Sequence, residues 1–125
     1  MLSGVCVGTN DLDRAGNFYD KVLATIGMKR LVAVAKEIGY GPDEGPVTFW
    51  VLTPYNGQPA TFGNGTQVMF STITQDAVDA FHAAALNMGG QDEGAPGPRD
   101  YAPGYFGAYV RDPDGNKLHV SIALE

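Results

Sequence analysis

The second half of the chain repeats the first. A shift of the sequence by 63 residues aligns strand-like segments with strand-like segments and helix-like segments with helix-like segments. The aligned pairs are Val5 with Val68, Thr9 with Thr72, Asp13 with Asp76, Phe18 with Phe81, Leu23 with Leu86 and Gly27 with Gly90. Such a repeat indicates one supersecondary unit that occurs twice, and each copy needs the other to bury its apolar face. Any fold for this chain has to be built from two copies of that unit.

The first unit starts with LSGVCVG (2–8), which alternates and is rich in Val, and therefore predicts a strand. Asn10, Asp11 and Asp13 supply an N-cap and acidic first-turn residues for a helix whose apolar residues recur at helical spacing as far as Gly27. Three strand candidates, MKRLVAVA, KEIGY and VTFWVLT, follow and are separated by Gly and Pro. The first half is thus predicted as βαβββ.

The second unit begins again with an alternating strand, GTQVMFST (65–72), and a helix from Thr74 to the Gly89-Gly90 pair. We predict a polar loop over GQDEGAPGPRDYAPG, followed by a hairpin of YFGAYVRD (105–112) and NKLHVSIAL (116–124). Pro113-Asp114-Gly115 closes this hairpin, because Pro presets φ and Gly supplies the positive φ that the turn needs.

Together these segments predict one α+β domain over residues 1–125, made of two βαβββ repeats at about 1–60 and 61–125. The strands should curve into a mixed sheet that forms a half-barrel, with the helices on its convex face. Strand alternation then divides the side chains, and the apolar set, such as Val5 and Val7, should meet the helices. The set that should face the hollow is Gly4, Cys6, Gly8, Gln67, Met69, Ser71, His119 and Ser121.

Charge and cysteine content exclude several functions. The formal net charge is −6, and the eight basic residues are scattered, so the chain lacks the clustered Lys and Arg that bind nucleic acid. Cys6 is the single cysteine, which rules out an internal disulfide and fits a reducing compartment. The N-terminal segment lacks a signal-peptide pattern, and no apolar run is long enough to span a bilayer. We expect a cytoplasmic protein with no membrane partner.

Two segments resemble the vicinal oxygen chelate superfamily, which includes glyoxalase I, bleomycin resistance proteins and extradiol dioxygenases. They are VGTNDLDRAGNFYDKVLATIGM (7–28) and GYFGAYVRDPDGNKLHV (104–120), and the likeness covers essentially the whole chain. The resemblance implies the half-barrel fold. Because both segments specify a helix and a hairpin rather than an active site, they indicate a reaction only weakly.

The resemblance also implies four positions for metal ligands, on the first and the closing strand of each repeat. These fall on Gly4, Gln67, the FWVL segment around Trp50 and Val51, and His119. Gly4 has no side chain, and no carboxylate occupies either closing strand. A catalytic divalent site needs about three protein ligands, so we expect no cofactor. Gln67 and His119 are the candidates if a divalent metal binds.

His119 is the main candidate for chemistry, either as a general acid or base or as a hydrogen-bond donor to a ligand, with a purely structural histidine as the alternative. Cys6 shares its face and is a candidate ligand contact, with a small buried hydrophobic residue as the alternative, since a reactive thiolate needs a positive neighbour or a helix N-terminus. Arg99 lies with Asp100 and Tyr101 in the loop at the predicted cavity mouth, where an arginine either clamps an anionic group or is simply solvated. The predicted cavity walls are Trp50, Met69, Tyr105 and Tyr109.

Two functions remain open. The first is binding of a small organic molecule in the concave cavity, without the family metal, as in bleomycin resistance. The second is a diverged glyoxalase-type lyase or isomerase that uses His119 as acid or base or has a rearranged divalent metal site. Either function is expected to need a homodimer, because one chain leaves an open sheet edge and half a cavity.

Overall fold

The computed structural model describes residues 1–122 and contains two βαβββ units, as the repeat predicts. The first unit consists of β1 (Val5–Gly8), α1 (Leu12–Ala24), β2 (Met28–Val34), β3 (Glu37–Pro42) and β4 (Phe49–Leu52). The second consists of β5 (Gln67–Thr72), α2 (Gln75–Asn87), β6 (Gln91–Pro98), β7 (Phe106–Arg111) and β8 (Lys117–Ile122). The last two residues of the strand predicted over 116–124 lie outside the described residues.

Each unit folds into its own four-stranded mixed sheet. The strand orders, β1-β4-β3-β2 and β5-β8-β7-β6, are the same when the second unit is numbered from its own first strand. In each sheet the first strand pairs in parallel with the closing strand, so that Cys6 lies beside Trp50 and Met69 lies beside His119. The internal repeat of the sequence is therefore a repeat of topology.

Both helices begin at the caps that the sequence indicates. The Asp11 side chain accepts a hydrogen bond from the backbone N–H of Arg14, and the Thr74 side chain accepts one from Ala77. Such caps satisfy N–H groups that have no partner within the helix. Neither of these helices, each 13 residues long, nor any other helical segment among residues 1–122 is long and apolar enough to cross a bilayer.

The core lies between the helices and the inner faces of the two sheets. An aromatic ladder crosses from one unit to the other: Tyr19 packs 5.0 Å from Phe49, Phe49 packs 5.2 Å from Phe70, and Phe70 packs 5.8 Å from Phe81, all between ring centroids. Burial of one such phenylalanine stabilises the fold by about 1.5–3 kcal/mol. This shared ladder makes the two repeats one hydrophobic core.

The β7–β8 turn ties the second unit to the first through two aspartates. Buried Asp112 accepts a hydrogen bond of 2.6 Å from the Tyr19 hydroxyl in α1. Asp114 accepts a hydrogen bond of 2.5 Å from the Thr9 hydroxyl and forms a salt bridge of 2.7 Å with Arg14. The turn itself has the predicted glycine at positive φ, Gly115 at +91°. The DPDG segment therefore holds the two units in register.

Asn116 adds a second link between the units. Its side-chain N–H group donates to the Gly8 carbonyl at 2.9 Å and to the Asp112 carboxylate at 2.8 Å, while its backbone N–H also binds Asp112. Asn116 is itself buried. The segment that the sequence marks as a turn is thus also an interface between repeats.

The prediction of a polar loop over GQDEGAPGPRDYAPG is wrong in its first half, where residues 91–98 form strand β6. β6 pairs antiparallel with β7, and Gly94 lies opposite Tyr109 and Gly97 opposite Gly107. Its register shifts on both sides of Gly94, and it forms the edge of its sheet. Prolines and glycines are tolerated at edges and bulges, so pairing with β7 imposed a strand on a segment whose composition favours a loop.

Candidate functional site

The open face of the second sheet carries the candidate site. A cavity of about 620 Å³ lies between β5, β8 and the segment that leads into β7. Its lining is mostly uncharged and consists of Gln67, Met69, Phe70, Ser71, Tyr101, Ala102, Tyr105, Tyr109, His119, Ser121 and Ile122. Alternation in β5 and β8 places Gln67, Met69, Ser71, His119 and Ser121 on the face opposite the helices, as predicted. A neighbouring hollow of about 350 Å³, beside the N-terminal residues, shares Met69 and Ser71 with this cavity.

Tyr105 and His119 form a hydrogen-bonded pair at the base of the cavity. The Tyr105 hydroxyl contacts Nε2 of His119, and both residues are buried, His119 being 4% exposed. Tyr105 reaches this position by lying across β7 at Gly107. A Cβ on Gly107 would come within 2.8 Å of Tyr105 Cζ and of the Val120 carbonyl oxygen, closer than atoms pack. Glycine at 107 therefore makes room for the Tyr105–His119 contact.

Tyr109 stacks on His119 and extends the pair into an aromatic cluster. The two rings are nearly parallel, 7° apart in plane with centroids 4.5 Å apart, because the residues are cross-strand partners in β7 and β8. The Tyr109 hydroxyl lies 3.0 Å from that of Tyr101, whose ring packs edge-on against Tyr105 at 4.8 Å. Three phenol hydroxyls and one imidazole thus meet at one cavity wall.

Burial favours the uncharged forms of His119, Tyr105 and Tyr109. Burial lowers the pKa of His119, and the positive charges of Arg99 and Lys117 lower it further. Burial likewise raises the pKa of Tyr105 and of Tyr109, and hydrogen bonds from Tyr101 and Tyr105 add to the rise at Tyr109. The desolvated ring favours the uncharged form in each case.

One polar atom of the cluster has no partner within residues 1–122. Nδ1 of His119 is buried and makes no hydrogen bond, whereas Nε2 is bound by Tyr105. Leaving a buried donor or acceptor unsatisfied costs about 1–3 kcal/mol. The structure makes Tyr105 the hydrogen-bond partner of His119 Nε2.

The other predicted site residues lie elsewhere. Cys6 is exposed on the open face of the first sheet, beside Trp50 in β4, and Trp50 lies across Gly39 of β3. Neither residue lines the cavity at His119. Half-buried Arg99 lies next to β6, where its guanidinium donates to the carbonyls of Ala95 and Pro98. A single chain brings together Gln67, Met69, Tyr105, Tyr109 and His119.

The donor set does not fit the metal that the family resemblance implies. Around His119 the candidate ligands are Gln67 and the sulfur of exposed Met69, and no carboxylate among residues 1–122 lines the cavity. Within residues 1–122, no three His, Cys, Asp or Glu side chains are grouped so that they could hold a metal ion. A catalytic divalent ion takes about three protein ligands, and His119 already has Nε2 engaged by a phenol.

Sequence reasoning missed two contributors to the site. Gly107 was read only as part of a strand, although a glycine between two tyrosines in YFGAY could have indicated an aromatic ring that crosses the backbone. Lys117 places its ammonium group 5.1 Å from the centre of the Tyr109 ring, within the range of a cation–π contact. Its position two residues before His119 on the same strand face was the available signal.

Comparison with known proteins agrees with this architecture. The model of the glyoxalase/bleomycin resistance protein/dioxygenase superfamily matches residues 2–120. A glyoxalase/bleomycin resistance protein from Albidiferax ferrireducens T118 is 42% identical, with a TM-score of 0.88 and 99% of each chain covered. A comparison with curated proteins found no match.

More distant solved structures share the fold. A glyoxalase-related enzyme from Fulvimarina pelagi is 18% identical, with a TM-score of 0.77, 98% of this chain and 88% of that chain covered. A fosfomycin resistance protein from Mesorhizobium loti is 15% identical, with a TM-score of 0.70, 99% of this chain and 92% of that chain covered. At these identities the likeness shows architecture alone.

Proposed function

The chain belongs to the glyoxalase/bleomycin resistance protein/dioxygenase superfamily, and on that premise we propose that it binds a small planar organic molecule in the cavity at His119, through aromatic and hydrogen-bonding side chains and without a metal ion. The observation that carries this proposal is the buried Nδ1 of His119, which has no partner and belongs to a residue that lines the cavity. A ligand that bonds to this atom would remove its desolvation cost.

The aromatic cluster supports a flat ligand. The cavity wall combines the Tyr109 ring, which is stacked on His119, with the ring of Tyr101, which is 63% exposed and accessible to a ligand. Aromatic rings bind planar molecules by offset or edge-on stacking, worth about 0.5–1.5 kcal/mol beyond the area they bury. A cavity of about 620 Å³ lies within the usual size range of small-molecule sites, about 300–1,000 Å³.

A catalytic function is the second candidate, and the Tyr105–His119 pair favours it. A neutral histidine whose ring is fixed by a phenol and by stacking is suited to accept a proton from a bound substrate. In that case the neutral ring carries its hydrogen on Nε2 and donates to Tyr105, Nδ1 of His119 is the general base of a glyoxalase-type isomerase or lyase, and Tyr105 positions the ring. Turnover that is lost in His119→Gln and reduced in Tyr105→Phe distinguishes this function from binding alone.

We also propose that the functional unit is a homodimer. Met69, which the cavity shares with the neighbouring hollow, and Leu2, which lines that hollow, are 69% and 84% exposed. The first sheet leaves a second uncovered face at Cys6 and Trp50. A partner that covers these surfaces would remove apolar area from water. Sedimentation equilibrium of the full chain at about 10–100 μM should give twice the chain mass. A mass equal to that of one chain would overturn the proposed homodimer.

The binding proposal is tested with a library of planar fragments on the full chain, with two-dimensional NMR as the readout. We expect hits that shift the resonances of His119 and its neighbours and that are lost in Tyr109→Ala. Tyr55→Ala is the matched control, because Tyr55 is a fully exposed tyrosine outside the cavity. Hits that persist in Tyr109→Ala, or no shifts at the cavity with any fragment, would contradict the proposal. Elemental analysis of chelator-free protein, with His119→Ala beside it, is expected to find less than stoichiometric metal.

A further inference from the structure

Two cations flank the aromatic cluster of the cavity. Lys117 lies 5.1 Å from the centre of the Tyr109 ring. Arg99 lies on the β6 side of Tyr109. A Cβ placed on Gly94, the β6 residue opposite Tyr109, would be 3.3 Å from Arg99 Nη2 and 3.1 Å from Tyr109 Cδ2. Both cations therefore border the ring that stacks on His119.

These cations have no acidic partner among residues 1–122. Arg14, Lys29, Arg30 and Arg111 each form a salt bridge with an aspartate or glutamate, whereas Arg99 and Lys117 form none. The guanidinium of Arg99 is held by two backbone carbonyls, which fix it without neutralising it. In a chain with a formal net charge of −6, two cations without an acidic partner among residues 1–122 therefore border this cavity, which favours an anion.

The tyrosine and histidine groups of the cavity wall can act as hydrogen-bond donors. A phenol is a better hydrogen-bond donor than acceptor, and a neutral imidazole nitrogen is a good acceptor, so Tyr105 donates to His119 Nε2. The hydrogen of the neutral ring then lies on Nδ1, the buried atom that has no partner. Tyr101 and Tyr109 contribute two further hydroxyls that share one contact. A ligand oxygen with a negative charge would accept from such donors most strongly.

We infer that the cavity selects an aromatic carboxylate, whose ring packs against the exposed Tyr101 and whose oxygens accept from His119 Nδ1 beside Arg99 and Lys117. This inference rests on the proposed binding function and names the ligand class of the same cavity. The charge of the ligand, and not its shape alone, then sets its affinity.

The experiment compares 2-naphthoate with 2-naphthamide, which have the same ring system but differ in charge. Both are titrated into the full chain and followed by NMR at the cavity resonances and by calorimetry. We expect the carboxylate to bind about tenfold more tightly than the amide at low salt, because charge-assisted hydrogen bonds are stronger than neutral ones. The difference should narrow as salt is raised, since the cations are partly exposed.

Two variants and one control assign the preference to its source. Lys117→Met and Arg99→Gln should each reduce the preference for 2-naphthoate about threefold and leave the affinity for 2-naphthamide unchanged, since only the Coulomb attraction is removed. Lys36→Met is the matched control, because it removes one positive charge from an exposed lysine elsewhere on the surface. It should change neither affinity.

The outcomes separate this inference from the function on which it rests. Equal binding of both probes at the cavity, or a preference that survives in Lys117→Met combined with Arg99→Gln, overturns the carboxylate selection and leaves the binding function intact. If the neutral amide and the carboxylate both leave the cavity resonances unmoved, the binding function fails, and the selection fails with it.

Discussion

Replacing Gly107 with alanine tests whether glycine is required for the Tyr105–His119 contact. The added methyl carbon would lie 2.8 Å from both Tyr105 Cζ and the backbone oxygen of Val120, where ordinary contacts are 3.4–4 Å. Tyr105 can swing away, but the Val120 oxygen belongs to the neighbouring strand β8 and can move only with its sheet. The substitution therefore costs both packing and the tyrosine–histidine hydrogen bond.

The magnitude follows from these two contributions. Overpacking costs about 1–3 kcal/mol, and loss of the hydrogen bond costs about 0.5–1.5 kcal/mol. Alanine offsets about 0.4–1 kcal/mol of this by restricting the unfolded chain. We expect Gly107→Ala to lower the free energy of unfolding by about 2 kcal/mol, which lowers the Tm of a chain of this size by roughly 5–10 °C.

Urea denaturation of the full chain, followed by circular dichroism, measures this loss. Gly97→Ala is the matched control, because Gly97 lies directly opposite Gly107 in the sheet and its Cβ would meet the movable end of Arg99 at 3.2 Å and otherwise only a carbonyl at 4.0 Å. The control should remain within about 0.5 kcal/mol of the parent. Equal stabilities of the two variants, or a Gly107→Ala loss that is unchanged in a Tyr105→Ala background, would refute the steric argument.

Three further predictions concern the cluster and the turn. Tyr19→Phe should lower the free energy of unfolding by about 1–3 kcal/mol, because it removes the hydroxyl that donates to the buried Asp112 carboxylate at 2.6 Å. Tyr55→Phe is the control, because Tyr55 is exposed, and it should leave the stability unchanged. Asn116→Ala should cost a similar amount, measured by the same urea midpoint, since it removes both side-chain links to Gly8 and Asp112. The stability that His119 contributes should be complete above pH about 6.5 and be lost as pH falls towards its lowered pKa, because the unfolded chain binds the proton more readily. The parent should therefore lose more of its unfolding free energy than His119→Gln does when the pH falls from 7.5 to 5.5. A stability difference between the two proteins that does not change with pH would contradict the lowered pKa of His119.

The site was only partly predictable, for reasons visible in single residues. Alternation placed Gln67, Met69 and His119 on one face, and the structure confirms that they share it. The hydrogen-bond partner of His119 was not predictable, because Tyr105 reaches it across a strand and through a glycine. Strand alternation gives the face of a residue but not the direction in which a long side chain lies along that face.

Trp50 and Cys6 show the same limit. The family resemblance placed the first-unit counterpart of His119 around Trp50 and Val51, and the strand register makes it Trp50, since Trp50 pairs with Cys6 as His119 pairs with Met69. Alternation cannot say whether two equivalent faces of one chain meet, because that depends on how the sheets are placed around the shared core. In a single chain they do not meet, and the cavity at His119 is built by the second unit alone.

The sequence by itself determined the first βαβββ unit, the elements of the second unit other than β6, the helix caps at Asp11 and Thr74, the turn at Gly115 and the apolar core, because each depends on local propensity or on short-range periodicity. Only the tertiary structure decided the strand at 91–98, which exists through pairing with β7, and the chemistry at His119, which depends on Tyr105, Arg99 and Lys117 being brought to one sheet face. Pairing partners and charge neighbours are separated along the chain, so their energies enter only once the chain has folded.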